Sequence, residues 1–172
     1  MLLLNTFGGV SHVPLQSVKR KGVKMNQEIG KGALGEAGEY YIASQATMRG
    51  WTVNIQRHNH NGTDILLSDE KEGLKVCGLQ VKTSRRASQW RMSKKDERFQ
   101  YIFCPTLFYV LVLLDEGRTF HTAYILPAKF VAETIACGHK DYLARGGKDS
   151  DIRQLKASEI PNEYKEAWHL LE

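Results

Sequence analysis

The sequence predicts an α/β protein built around a sheet of about five strands. Two observations support this most strongly. Segment 33–49 has apolar residues and alanines at helical spacing, so it is expected to form an amphipathic helix. Segment 107–115 is a continuous apolar run that ends in an acidic turn, which is typical of a strand buried on both faces. With 172 residues, 42% of them hydrophobic, the chain has about the length of one ordinary domain.

The remaining elements are shorter and lie on both sides of that run. Gly50 ends the first helix, where glycine accepts the left-handed conformation of a helix C-terminus. Further strands are expected at 51–56, 64–67, 79–84 and 119–126. Pro127 begins a second helix that extends to about residue 136, since proline is tolerated in a first helical turn. A terminal segment with helical spacing is expected to pack on the sheet or to form a dimer contact, and its apolar residues are Tyr164, Ala167, Trp168 and Leu171.

A single domain is expected to span residues 25–172, preceded by a flexible basic tail at 1–24 that lacks helical or strand periodicity. Alternatively the basic group of the tail contacts phosphates, or the native chain starts at Met25. The three cysteines are odd in number and lack a CxxC pair, which argues against a disulfide framework or a zinc knuckle. No run approaches the roughly 20 apolar residues of a membrane span, so we expect a cytoplasmic protein with no membrane partner.

Polar residues interrupt two of the predicted strands. Asp64 opens one strand, while Gln80 and Lys82 are two positions apart on the next and therefore share a face. Such residues on a largely apolar strand are costly unless they have a function. Upstream, Glu36 and Glu39 share one face of the first helix. Carboxylate and amide oxygens suit Mg²⁺, and a nearby lysine can orient or deprotonate a water and stabilise charge on a phosphate.

This pattern resembles the PD-(D/E)xK nuclease superfamily, which includes many restriction endonucleases and archaeal Holliday-junction resolvases. The resemblance covers roughly residues 33–130, and the residues that match the motif are Glu39, Asp64, Gln80 and Lys82. The chain departs from the motif at two positions. Thr63 stands where the superfamily has proline, and Gln80 stands where it has a second acid, as in a QxK variant.

The resemblance implies a three-layer α/β/α restriction-endonuclease-like core with a mixed central sheet of about five strands. It implies a DNA endonuclease that depends on Mg²⁺, with Mn²⁺ as the alternative ion. The metal ligands that it implies are Asp64, Gln80, Glu39 and the backbone oxygen of Val81, while Lys82 activates the attacking water. Glu36 is the alternative to Glu39 as the helical glutamate. A homodimer would suit cleavage of both strands of a duplex.

A basic segment follows the third predicted strand directly. Seven lysines and arginines lie from Lys82 to Arg98, with a tryptophan among them. Cations can bind phosphates and an indole can stack on an exposed base, so the predicted DNA contacts are Ser84, Arg85, Arg86, Trp90 and Arg91. The alternative is a solvated loop with Trp90 packed on the domain. The net charge of +5 agrees with DNA as a partner but is weak support by itself.

Two other functions stay open on the sequence. Because Gln80 offers a carbonyl ligand without charge, the chain is alternatively an inactive nuclease-fold module that binds DNA, or a partner protein, without cutting. A structural subunit with a basic surface would bind neither metal nor nucleic acid. His58 and His60 alternate in the polar turn at 57–62, but two imidazoles without well-placed cysteines are too few for a zinc site.

Overall fold

Helices and strands follow one another in the order expected of an α/β protein. The computed structural model describes residues 29–56, 62–69, 75–85, 89–98, 104–114 and 119–172. Its α-helices are α1 (Lys31–Thr47) and α2 (Ala128–Ala144). Its strands are β1 (Trp51–Ile55), β2 (Ile65–Asp69), β3 (Val76–Ser84), β4 (Gln89–Ser93), β5 (Leu107–Leu114), β6 (Phe120–Pro127) and β7 (Ile152–Lys156). The predicted tail at 1–24, the two turn histidines and Arg86 lie outside the described residues.

Five of the strands form one mixed sheet in the order β1-β2-β3-β5-β6. Neighbouring strands in it are antiparallel except β3 and β5, which run parallel. β4 and β7 form a separate two-stranded antiparallel ribbon. The predicted five-stranded mixed sheet is therefore confirmed, whereas the ribbon was not predicted. Within the described residues, no helix is both long enough and apolar enough to span a bilayer.

Helices cover both faces of this sheet, which produces three layers. The core on one face contains Ile42 and Ala46 of α1, and the core on the other contains Val131 and Ile135 of α2. β5 contributes to both cores: its residues at even positions from 108 to 112 belong to the first, and those at odd positions from 107 to 111 to the second. Burial on both faces explains why β5 is a continuous apolar run.

Two of the predicted helices differ from the structure. α2 extends to Ala144, beyond the predicted end at about residue 136. The C-terminal segment forms short 3₁₀ helices at 157–159, 162–164 and 168–171 where an α-helix was expected. Glu166, at φ 51°, breaks its helical course, and its carboxylate accepts a hydrogen bond of 2.6 Å from the Ala123 backbone N–H on β6. Trp168 and Leu171 still pack into the α1-side core, so the expected packing on the sheet is confirmed.

α1 approaches β3 closely at a glycine beside the candidate Glu39. A Cβ atom at Gly38 would lie 1.8 Å from Thr83 Oγ1, which is buried and has no hydrogen-bond partner among the described residues. We expect Gly38→Ala to lower the free energy of unfolding by about 1–3 kcal/mol, because stiff, β-branched Thr83 or the helix itself must shift. Gly35→Ala, earlier in α1, is the control, since no described atom lies within 4 Å of its Cβ position.

The control should raise the free energy of unfolding by up to about 1 kcal/mol, because alanine favours a helix over glycine. Denaturant unfolding of both variants measures the difference. Stabilisation by Gly38→Ala of the same size as by Gly35→Ala would contradict the close contact between α1 and β3.

Candidate active site

β3 directs two polar side chains to one face of the sheet. Gln80 and Lys82 lie opposite Tyr109 and Leu111 of β5 in the parallel register. They therefore share the α2-side face, whereas Val81 between them belongs to the core on the α1 side. Gln80 is 4% exposed and Lys82 is half-buried. The polar pair thus stands at the centre of the sheet, where burial makes it costly.

Asp64 lies immediately before β2 and contacts both Gln80 and the β3 backbone. Its Oδ2 atom accepts hydrogen bonds from Gln80 Nε2 at 2.6 Å and from the Val81 N–H at 2.7 Å. Its own N–H donates to the Leu79 carbonyl at 2.8 Å, which sets the carboxylate next to β3. A carboxylate only accepts, so the Gln80 NH₂ group must face Asp64 and its carbonyl oxygen must point elsewhere. That oxygen is the Gln80 atom that can take a cation.

Glu39 of α1 is electrostatically coupled to the same site. Partial burial raises the pKa of Glu39, the negative charges of Asp64 and Glu36 raise it further, and Lys82 lowers it. The helix thus brings its carboxylate within range of both Asp64 and Lys82. Glu36 is exposed on α1, whereas Glu39 is partly buried.

Burial also raises the pKa of Asp64, which is 5% exposed. The Val81 N–H and the Lys82 charge lower that pKa in part, while the charge of Asp96 raises it. Two partly desolvated carboxylates that repel each other favour protonation unless a cation neutralises them. Together with the Gln80 carbonyl, these carboxylates would supply hard oxygen donors of the kind that Mg²⁺ takes. The described residues contain no group of three or more His, Cys, Asp or Glu suited to a metal, so an ion here would depend on the amide.

The predicted DNA-contacting residues separate into exposed and buried positions. Ser84 ends β3 and donates a hydrogen bond of 3.2 Å to the Gln89 carbonyl at the start of β4. Arg85 and Arg91 are exposed, and Arg85 also donates to the Ile29 carbonyl. Their exposure leaves both side chains accessible to phosphates.

Trp90 differs from the prediction that its indole stacks on a base. It is 2% exposed, its Nε1–H donates to the Val112 carbonyl at 3.2 Å, and its ring packs edge-on against Tyr124. A side chain enclosed in this way has no free face for a nucleotide, so the stacking role is wrong and the alternative of packing on the domain is correct. The alternation of buried Trp90 and Met92 with polar neighbours is a strand signal that could have indicated this.

One buried carboxylate near the site was missed. Asp96 accepts hydrogen bonds from the Tyr109 hydroxyl at 2.7 Å and from the Ser93 N–H at 2.7 Å. It closes a capping box on the 3₁₀ helix Lys94–Glu97 and joins that helix to β5, next to Gln80. The Ser-x-x-Asp spacing of Ser93 and Asp96 was the available signal, but the contact with Tyr109 depends on the fold.

Comparison with known proteins finds no family model and no curated protein that matches the chain. Among solved structures, the chain is similar to the bacterial homing endonuclease I-Ssp6803I, with 17% identity, a TM-score of 0.46, and coverage of 83% of this chain and 91% of the other. It is also similar to Hjc, a Holliday junction resolvase from Archaeoglobus fulgidus. There the identity is 11% and the TM-score is 0.47, over 74% of this chain and 87% of the other.

Proposed function

We propose that the chain is a metal-dependent DNA endonuclease of the PD-(D/E)xK superfamily, in its QxK form. The observation that supports this most directly is the contact of Asp64 with Gln80 and the Val81 N–H, because it joins the two motif strands through their polar residues. Lys82 follows on the same face of β3, and Glu39 reaches the same electrostatic environment from α1.

The residues suggest how hydrolysis would proceed. Asp64, Glu39 and the Gln80 carbonyl, with the Val81 backbone oxygen, would hold Mg²⁺ or Mn²⁺, and the bound ion would supply Lewis-acid stabilisation of the phosphate. Lys82 orients the attacking water and compensates the negative charge that develops on the phosphate oxygens. As the water oxygen bonds to phosphorus, the bond to the leaving oxygen breaks; the water gives its proton to solvent, and the leaving oxygen takes a proton from solvent. Arg85 and Arg91 hold the flanking backbone by contacts to phosphates.

A cleavage assay tests this proposal directly. Supercoiled, linear duplex, branched and single-stranded DNA would be incubated with wild-type protein in Mg²⁺, in Mn²⁺ or in chelator. Cutting that requires the ion and disappears in a preparation of Lys82→Ala would support the nuclease and rank its substrates. Cutting that persists in chelator would exclude the proposed chemistry.

The neutral Gln80 favours a second candidate, a nuclease-fold module that binds DNA without cutting it. Gln80 stands where the superfamily's motif has an acid, so the site has one negative charge fewer. The Gln80 NH₂ group already donates a hydrogen bond to Asp64. Divalent-ion binding measured by calorimetry separates the two functions. Heat of Mg²⁺ or Mn²⁺ binding that disappears in Asp64→Asn supports the nuclease, whereas DNA affinity without any ion binding supports the module.

The exposed arginines should contribute to DNA affinity through phosphates. We expect Arg85→Ala or Arg91→Ala to weaken binding to all DNA sequences alike and to reduce the slope of log affinity against log salt by about one, since each would remove one phosphate contact. Lys129→Ala, on α2 in an exposed ion pair with Glu133, is the control. Binding titrations at several salt concentrations measure the slope, and an unchanged slope would remove the two arginines from the DNA surface.

A further inference from the structure

A cavity apart from the candidate active site lies between the C-terminal half of α2 and strand β7. Its volume is about 300 Å³, and its walls include His139, Tyr142, Arg145, Gln154 and Lys156. We call it the α2–β7 cavity. Small-molecule sites start at roughly 300 Å³, so the cavity suits a ligand of the size of one nucleotide and is too small for a duplex.

Tyr142 presents a fixed aromatic surface at this cavity. The residue is 47% exposed, although tyrosines are usually more buried. A Cβ atom at Gly147 would lie within 2.5 Å of the Tyr142 ring, so the glycine lets the chain pack directly on it. The His139 ring lies 5.9 Å away and is itself bonded to Asp149 at 3.0 Å. A ring held in place but open to solvent is what base stacking requires.

Three cations and one carboxylate, Glu159, line the cavity, and this balance of charge favours an anion. Arg145 is exposed, and within the described residues its side chain forms no hydrogen bond or ion pair. Lys156 contacts Glu159 only at 3.8 Å, in an exposed pair. In contrast, Arg153 is buried. It forms an ion pair with Glu97 and donates a hydrogen bond to the Ser150 carbonyl, so it stabilises the wall of the cavity. Arg145 and Lys156 are therefore the cations available to a phosphate.

The outer face of the β4–β7 ribbon connects this cavity to the catalytic strand. In the antiparallel register Arg91 lies opposite Gln154, and Gln89 lies opposite Lys156. Residues directly opposite have Cβ atoms roughly 5 Å apart and share a face. Since Ser84 at the end of β3 bonds to the Gln89 carbonyl, a polar and basic surface runs from β3 to the cavity.

We infer that the α2–β7 cavity binds one nucleotide of an unpaired DNA strand, with its base on Tyr142 and its phosphate at Arg145 and Lys156. The inference rests on the proposed function for its ligand, because a nuclease on DNA supplies the strand that crosses Arg91. It assigns the chain a preference for DNA with a single-stranded part. The preference is independent of metal chemistry at Asp64.

Binding to a short duplex with a single-stranded extension, compared with the same duplex with blunt ends, tests the inference in the absence of divalent ions. We expect Tyr142→Ala to weaken binding to the extended DNA by about 10-fold, the usual effect of losing one stacked base, and to leave the blunt duplex unaffected. Tyr142→Phe should bind like wild type because it keeps the ring. Arg145→Ala should weaken binding to the extended DNA, whereas Lys140→Ala, exposed on the same helix outside the cavity, should not.

Equal affinities of wild type and Tyr142→Ala for the extended DNA would overturn the inference, as would equal losses on both DNAs. If the affinities for the extended DNA are equal but wild type cuts DNA in a metal-dependent way, the proposed function holds and only the cavity inference fails. Selective loss without any cleavage would support the cavity and reject the nuclease. A deoxynucleoside monophosphate tested alone distinguishes the source of the nucleotide: if it binds as tightly as the extension does, the cavity serves a free nucleotide and the DNA-strand inference fails.

Discussion

Replacing Lys82 with alanine is expected to reduce DNA cleavage by about 1,000-fold, the scale of losing one group that orients the water or stabilises the developing charge. Lys82 shares the α2-side face of β3 with Gln80, and its charge lowers the pKa of both Glu39 and Asp64. Among the described lysines and arginines, Lys82 alone lowers the pKa of both Glu39 and Asp64 by its charge. The variant should still bind DNA, because Arg85 and Arg91 remain.

Lys75→Ala is the matched control for this prediction. Lys75 is exposed and immediately precedes β3, so its loss removes the same charge without touching the site. Initial cleavage rates and DNA affinities of both variants would be measured under identical conditions. Retention of more than a tenth of wild-type activity by purified Lys82→Ala would assign water activation to another group.

Asp64→Asn is expected to abolish metal-dependent cleavage while it makes the metal-free protein more stable at neutral pH. The hydrogen bonds from Gln80 and from Val81 both end on Oδ2, so an asparagine oxygen at that position can accept from Gln80 and from Val81 alike. The substitution removes a negative charge whose burial raises the pKa of Asp64. We expect a gain in the free energy of unfolding, in contrast to the loss of about 1 kcal/mol that is typical of a point substitution.

The pH dependence follows from the raised pKa of Asp64. Between the unfolded pKa and the higher folded one, the folded protein binds more protons than the unfolded chain, so wild-type stability falls as pH rises through this interval. The difference between Asp64→Asn and wild type should therefore be largest above the folded pKa and disappear below the unfolded value, about 3.9. Burial also raises the pKa of Glu39, so the titration of Glu39 likewise lowers wild-type stability as pH rises.

Thermal unfolding across this pH range, with and without Mg²⁺, measures both effects. Mg²⁺ should stabilise wild type and leave Asp64→Asn unchanged, because the proposed carboxylate site for the ion exists only in the folded protein. Asp141→Asn, an exposed position on α2, is the control and should change stability by less than about 0.5 kcal/mol. A less stable Asp64→Asn at neutral pH would show that the buried carboxylate is not a cost to the metal-free fold.

Local sequence patterns were sufficient for the sheet and for the shared face of Gln80 and Lys82 on β3. β5 is apolar at every position because both of its faces are covered, and this is visible without a partner strand. The shared face of Gln80 and Lys82 follows from the two-residue period of a strand. These features depend on spacing within one element, and spacing is what a sequence displays.

Contacts between distant segments decided the rest. Trp90 is buried because β7 pairs with β4, and nothing local to the basic segment reveals that partner. The C-terminal segment has helical spacing, yet Glu166 bonds to β6 and breaks the helix. Short strands and terminal segments have weak intrinsic preferences, so the surface that covers them determines their conformation and burial. By itself the sequence determined the five strands of the sheet, the presence of α1 and α2 and the polar motif. Only the tertiary structure decided which carboxylates are buried and which basic residues line a cavity, because both depend on packing between distant segments.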